Sequence, residues 1–463
     1  MTSTRFFRIK YTLIIIQLKG YVNEIPRKPT FHETEVIFME IYIVQQGDTV
    51  SSVAARFGVS PQRIIADNSL ALPDNLAVGQ ALLILIPEVV HTVRRGETLE
   101  SIARDYGTTV RRLRRNNLGL TSREYIYEGE TIVISYENER SGNLSLSGFV
   151  YPGVNRNILR QVASFAEYTI IFGYGFDTDG TLIIPNDSEV ISISKQFGSK
   201  VLLSLSLVGA DGRFYSGKLA PLLTDAEFQN RVLSQMTDEI KRKGADGMDI
   251  DMEYIPAAYK DSFSAFVQNA ADRLHAEGLV LNIDLAPKTS ADQQGTLYEA
   301  HNYASFGASA DLAFLMTYEW GYAFGPPMAI APINKVREVV DYAITEIPLE
   351  KIYLGMPNYA YDWTLPFVQG ESAAEVIGNR TAAARAAEYG VPILYDETVQ
   401  SPYYTYSDSE GREHIVWFED IRSVKAKLDL IREYSLRGAG VWNFMRAFPQ
   451  AYLLMENMFE LEG

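Results

Sequence analysis

The chain has 463 residues, of which 47% are hydrophobic and 22% charged, and a net charge of −16; this is the make-up of a folded protein of two or three domains with no disorder signature. Cysteine is absent, which excludes disulfides, thiolate catalysis and cysteine-held metal. The acidity is uneven: Lys+Arg against Asp+Glu is 6 to 3 over residues 1–38, 10 to 12 over 39–137 and 26 to 43 over 138–463, a balance that repels phosphate backbones and argues against a nucleic-acid partner.

Residues 11–18 form a short apolar run behind Arg5, Arg8 and Lys10. Gln17 interrupts it, Lys19 closes it and no small-residue cleavage site follows, so it reads as neither a signal peptide nor a membrane span. Residues 1–38 are therefore expected to be a leader or extension outside the fold, and no membrane insertion is expected. The five histidines, His32, His91, His275, His301 and His414, include no pair at ligand spacing. They read as surface or capping residues, and no metal site and no cofactor are expected.

Residues 42–54 then repeat at 91–103, a period of 49. Tyr42-Ile43-Val44-Gln45-Gln46-Gly47-Asp48-Thr49 aligns with His91-Thr92-Val93-Arg94-Arg95-Gly96-Glu97-Thr98, and the match continues through Phe57-Gly58 with Tyr106-Gly107 and Asn68 with Asn117. Each copy has a β-branched strand, a glycine turn, a threonine able to cap a helix, two short amphipathic helices and a closing strand, which predicts two βααβ modules over 39–87 and 88–137. Arg111, Arg112, Arg114 and Arg115 give the second module a basic helix face, expected to be solvated. Residues 138–143 read as a polar linker, so residues 39–137 are expected to be a separable unit.

From residue 144 apolar strands alternate with helices. Strands are predicted at 144–152, 168–176, 200–208, 246–253, 279–286, 311–319, 352–359 and 438–444, the pattern of a (β/α)8 barrel with its active site at the strand C-terminal ends. The seventh unit is overlong, and residues 363–417 read as a small α+β insertion with a hairpin. The fourth strand carries Asp246-Gly247-Met248-Asp249-Ile250-Asp251-Met252-Glu253. Alternate side chains share a face, so Asp249, Asp251 and Glu253 form a row of acids roughly 6–7 Å apart. Desolvating three like charges is costly, and crowded carboxyl groups hold a proton near neutral pH, so the row points to a general acid. Asp246, earlier in the strand, reads as structural.

The D-x-x-D-x-D-x-E spacing, with Lys243-Gly244-Ala245 before it and Tyr254 after, resembles the fourth-strand signature of the chitinase-type family 18 glycoside hydrolases. The V-x-x-G-D/E-T and F/Y-G motifs of the repeats resemble LysM domains, which bind N-acetylglucosamine polymers. The first resemblance implies that Glu253 is general acid and then general base, that Asp251 holds the substrate's acetamido N–H and that Asp249 shares a proton with Asp251. It also implies that Tyr318, in Met316-Thr317-Tyr318-Glu319, steadies the acetamido carbonyl and that Trp442 is the hydrophobic floor of the cleavage subsite. Glu319 stands where the family has Asp, and strand three lacks the family's S-x-G-G. The second resemblance makes the loop residues Asp48, Thr49, Glu97 and Thr98 candidates for sugar contact. From about residue 40 to the end, the combination is similar to the spore-associated, cortex-lytic type of N-acetylglucosaminidase. The expectation is a retaining hydrolase of peptidoglycan, associated with the spore or cell wall. A chitinase on the same scaffold and a non-catalytic glycan-binding or spore-coat protein are the alternatives.

Overall fold

The structure, a computed structural model, describes residues 39–123, 125–136, 140–209 and 215–462; the expected leader and residues 138–139 of the expected linker lie outside them. The first module runs β1 (Met39–Ile43), α1 (Val50–Phe57), α2 (Pro61–Asp67) and β2 (Ala81–Leu85), and the second runs β3 (Pro87–Thr92), α3 (Leu99–Asp105), α4 (Val110–Asn116) and β4 (Thr131–Tyr136). In each module the outer strands pair antiparallel. The local sequence explains the turns: Gly47 and Gly96 take φ of +86° and +84°, which a β-carbon disfavours. Thr49 and Thr98 then cap α1 and α3, each in a reciprocal capping box with a serine three residues on.

Eight parallel strands close the barrel, as the strand pattern predicts. In chain order they are β5 (Asn143–Val150), β6 (Tyr168–Phe176), which also pairs with the short β7 (Leu182–Ile183), β8 (Lys200–Ser206), β9 (Gly247–Asp251), β10 (Val280–Leu285), β11 (Leu312–Leu315), β12 (Ile352–Pro357) and, after the insertion, β18 (Gly438–Trp442). Pairing of β5 with both β18 and β6 closes the ring. Between β12 and β18 the insertion builds a five-stranded antiparallel sheet from β13 (Ala360–Thr364), β14 (Glu375–Ile377), β15 (Leu394–Asp396), β16 (Ser401–Ser407) and β17 (Glu413–Trp417), with the helix Asn379–Glu388 against it. The chain ends on the helix Pro449–Met458 and β19 (Glu460–Leu461), which pairs with β5.

Three expectations need correcting. The arginine face of α4 is not solvated. Arg111 donates to the carbonyls of Ser164 and Ala166 at 2.8 Å each and of Gly198 at 2.9 Å, and Arg115 donates to Ser164 at 2.7 Å. The Ser164 and Ala166 carbonyls lie at the C-terminus of the first barrel helix, α5 (Arg156–Phe165), and that of Gly198 in the turn after the next helix, Ser188–Gln196; at such helix ends cations satisfy orphan acceptors. Arg115 also pairs with buried Glu456 of the C-terminal helix. The described part of the expected linker is likewise held, because Arg140 pairs with Glu456 and Glu460, and Ser141 donates to Met458. Finally, three histidines are not at the surface: His301 is fully buried, and His91 and His414 are 8% and 9% exposed.

Candidate active site

The barrel register sets the acid row. Ser204, Asp249 and Asn282 are cross-strand neighbours on β8, β9 and β10, and Ser206 stands beside Asp251. Every residue of β9 is buried, because its acids point into the barrel while Met248 and Ile250 pack outward against the helices. The Asn282 side-chain amide donates to Asp249 at 2.6 Å and to Asp284 at 3.3 Å. The chain then leaves the strand, and Glu253 and Tyr254 follow at the barrel mouth, Tyr254 with a φ of +54°. Glu319 has a φ of +68°. Left-handed backbone in non-glycine residues costs on the order of 1 kcal/mol or more, and two instances flank one groove.

That groove has a volume of about 500 Å³ and is lined by Asp251, Glu253, Tyr254, Asp284, Pro287, Leu297, Tyr298, Met316, Tyr318, Glu319, Trp320, Tyr322 and Trp442. Six residues expected from the sequence, Glu253, Asp251, Tyr318, Met316, Glu319 and Trp442, thus share one cavity. Asp249 lies one layer below it, fully buried. Trp442 is propped by Phe149 and Phe172, with ring centroids 5.2 and 5.7 Å away. Glu319 accepts a hydrogen bond from Tyr361 at 2.8 Å and another from Tyr359.

Burial drives the electrostatics. It raises Asp249 to about 7 against the opposing Asn282 hydrogen bond. Asp251 is held well above the carboxylate range, first by burial and then by the charges of Glu253 and Asp249. Burial, then the charge of Glu319, raises Glu253. The Tyr318 hydroxyl is likewise held far above its usual range by burial. Burial thus favours the protonated form of each of these acids and keeps a neutral phenol beside them.

Asp284 is the residue that sequence reasoning missed. It is 3% exposed, and burial and the three neighbouring acids raise it well above its usual range. Its signal was the alternation Asn282-Ile283-Asp284 in an otherwise apolar strand, the same period that marked the acid row. Tyr298, Leu297 and Pro287 come from the loop after β10, whose base is pinned by Lys288. This lysine is 1% exposed and donates to the carbonyls of Ala291 and His301 at 3.1 Å each. Burial, and then Lys288, hold His301 down to about 4, and as a neutral ring it accepts from the Ala286 N–H. Among the described residues no group of three or more His, Asp and Glu is arranged to hold a metal ion.

Asp48, Thr49, Glu97 and Thr98 are not in this groove. Asp48 accepts from Tyr42 at 2.6 Å and from the Gln45 N–H at 2.7 Å, and Glu97 is bound by His91 and the Arg94 N–H. The two threonine oxygens accept from helix N–H groups, which leaves each hydroxyl proton to donate. Both carboxylates thus shape their own turns.

The pattern of glycosyl hydrolases family 18 matches residues 154–446, and that of the LysM domain matches residues 42–85 and 91–135. The chain belongs to glycosyl hydrolases family 18. This family 18 member is 36% identical over 430 residues to the cortical fragment-lytic enzyme of Bacillus subtilis (strain 168), across 91% of the chain and 99% of the relative. It superposes on the crystal structure of the Bacillus megaterium QM B1551 spore cortex-lytic enzyme SleL with a TM-score of 0.77 at 34% identity, covering 92% of this chain and 99% of that one. A chitinase from Chromobacterium violaceum ATCC 12472 aligns at 22% identity and a TM-score of 0.62, over 67% of this chain and 98% of that one, a likeness of fold alone. The family 18 chain is a glycoside hydrolase.

Proposed function

We propose that this hydrolase is a retaining β-N-acetylglucosaminidase that cuts peptidoglycan, that of the spore cortex first of all, and that it works at the spore or wall. The carrying observation is the vertical order of the groove, with buried Asp249 below Asp251, Glu253 at the mouth and the neutral Tyr318 phenol lining the same cavity. In this reading Glu253 protonates the leaving oxygen and then takes a proton from water. Asp251 receives the acetamido N–H, aligns the acetamido oxygen on the anomeric carbon and balances the charge of the cyclic oxazolinium ion; Asp249 beneath takes up a shared proton. Tyr318 donates to the acetamido oxygen, and Trp442 carries the apolar face of the sugar ring. The match to spore cortex-lytic enzymes over 91–92% of the chain favours peptidoglycan.

The test is end-group analysis. Purified cortex digested with the enzyme and reduced with borohydride should yield new N-acetylglucosaminitol ends, and the anomeric product released first should keep the β configuration. New muramitol ends, or inverted product, would refute the proposal. Parallel digestion of N-acetylglucosamine oligomers decides whether chitin competes as a substrate.

A further inference from the structure

The two modules repeat in sequence, but their second loops meet different surroundings. Equivalence in this loop is fixed by matched hydrogen bonds. Gln80 N–H donates to the Ala77 carbonyl as Glu130 N–H donates to that of Tyr127, and the Gln80 and Glu130 side chains accept from the N–H of Ala77 and Tyr127 respectively. Asn75, Ala77 and Val78 therefore correspond to Tyr125, Tyr127 and Glu128.

In the first module this loop is occupied. Asn75 donates to the Ala387 carbonyl at 2.9 Å, the Val78 carbonyl accepts the Ile393 N–H at 2.8 Å, and Ala77 is 4% exposed within the apolar cluster of the insertion. The approach is so close that a β-carbon on Gly79 would lie 2.0 Å from the Ile393 carbonyl oxygen. In the second module the same positions carry two tyrosines that are 63% and 58% exposed. Their rings meet edge to face at 5.4 Å, and Arg123, paired with Glu130, stands 5.1 Å from the Tyr127 centroid, which fixes that ring without covering both faces. No described residue donates to the Glu128 carbonyl.

We infer that the modules divide their labour: the first is an anchor that clasps the insertion, and the second alone binds the glycan, stacking N-acetylhexosamine rings on Tyr125 and Tyr127. The occupant's chemistry follows from the first module, where the loop holds backbone amides. An acetamido group offers the same N–H to the Glu128 carbonyl, and the sugar's C–H face suits an exposed ring fixed in orientation. This rests on the N-acetylglucosamine reading above but concerns a second, non-catalytic site.

The test is co-sedimentation of the full chain with insoluble peptidoglycan. The double change Tyr125→Ala with Tyr127→Ala should weaken binding about tenfold or more, while Tyr125→Phe with Tyr127→Phe should bind as wild type because the rings remain. Chemically de-N-acetylated wall should bind wild type as poorly as intact wall binds the double alanine variant. Circular dichroism melts establish that each variant is folded, and the single change Tyr125→Ser supplies a milder variant expected to lose part of the affinity. Undiminished binding by the double alanine variant, or equal loss in the phenylalanine variant, would overturn the inference. Release of new N-acetylglucosaminitol ends from cortex by wild type, measured beside it, separates the two readings: failure there counts against the proposed substrate, whereas the binding comparison alone decides the division of labour.

Discussion

Glu253 and Glu319 make the residue-scale argument. Burial, and then the charge of Glu319, raises the Glu253 carboxyl and so favours its proton-bearing form; Glu253→Gln, which keeps shape but loses the transferable proton, should lower kcat by about a thousandfold with KM little changed. A variant retaining more than about a tenth of wild-type kcat would place the acid elsewhere. Glu319→Gln is expected to act through pH. Removing a neighbouring negative charge lowers the Glu253 pKa, the protonated form is lost earlier as pH rises, and the alkaline limb of kcat/KM should move to lower pH. An upward move would contradict the coupling. The row Asp249, Asp251, Glu253 was legible because a period of two in carboxylates is rare in an apolar strand and costly without a use. Asp284 uses the same period on the next strand but appears there as a single acid. Only the register with β9 brings it to the other three.

At the scale of elements, α4 shows what charge patterns conceal. The helix, its capping threonine and its arginines were all visible. Their partners were not, because backbone carbonyls at the end of α5 leave no trace in a sequence, and Glu456 lies 341 residues from Arg115. Arg115 and Glu456 are 6% and 2% exposed in their side chains, and removing one member of such a pair leaves the other charge buried. Arg112 and Arg140 remain near Glu456 and soften the loss. Arg115→Ala should therefore destabilise the protein by about 2–3 kcal/mol in chemical denaturation, against about 0.5 kcal/mol for Arg104→Ala, whose side chain is 77% exposed. Equal effects would show that the α4 contact contributes nothing to stability.

For the whole molecule, the sequence suggested a separable unit joined to a catalytic barrel by a polar linker, and the packing argues against separability. Leu83 and Leu85 of the first module, and Leu118, Val133 and Tyr136 of the second, lie in the same buried apolar cluster as the barrel strands and helices. A fully buried aliphatic or aromatic side chain contributes about 1.5–3 kcal/mol, so stripping even part of five such contacts, together with the arginine clasp at α5, is large beside the roughly 5–15 kcal/mol that typically separates folded from unfolded protein. A chain lacking residues 39–136 should thus be poorly soluble or melt about 10 °C or more below the full chain. Any soluble fraction should still turn over short soluble glycans, because none of the groove-lining residues comes from the modules. Melting within about 2 °C of the full chain would restore the picture of independent domains. The expected loss has a functional corollary for the binding loop inferred above: modules packed into the barrel's core would present a glycan strand gripped by the second module to the groove in a set register rather than on a flexible tether.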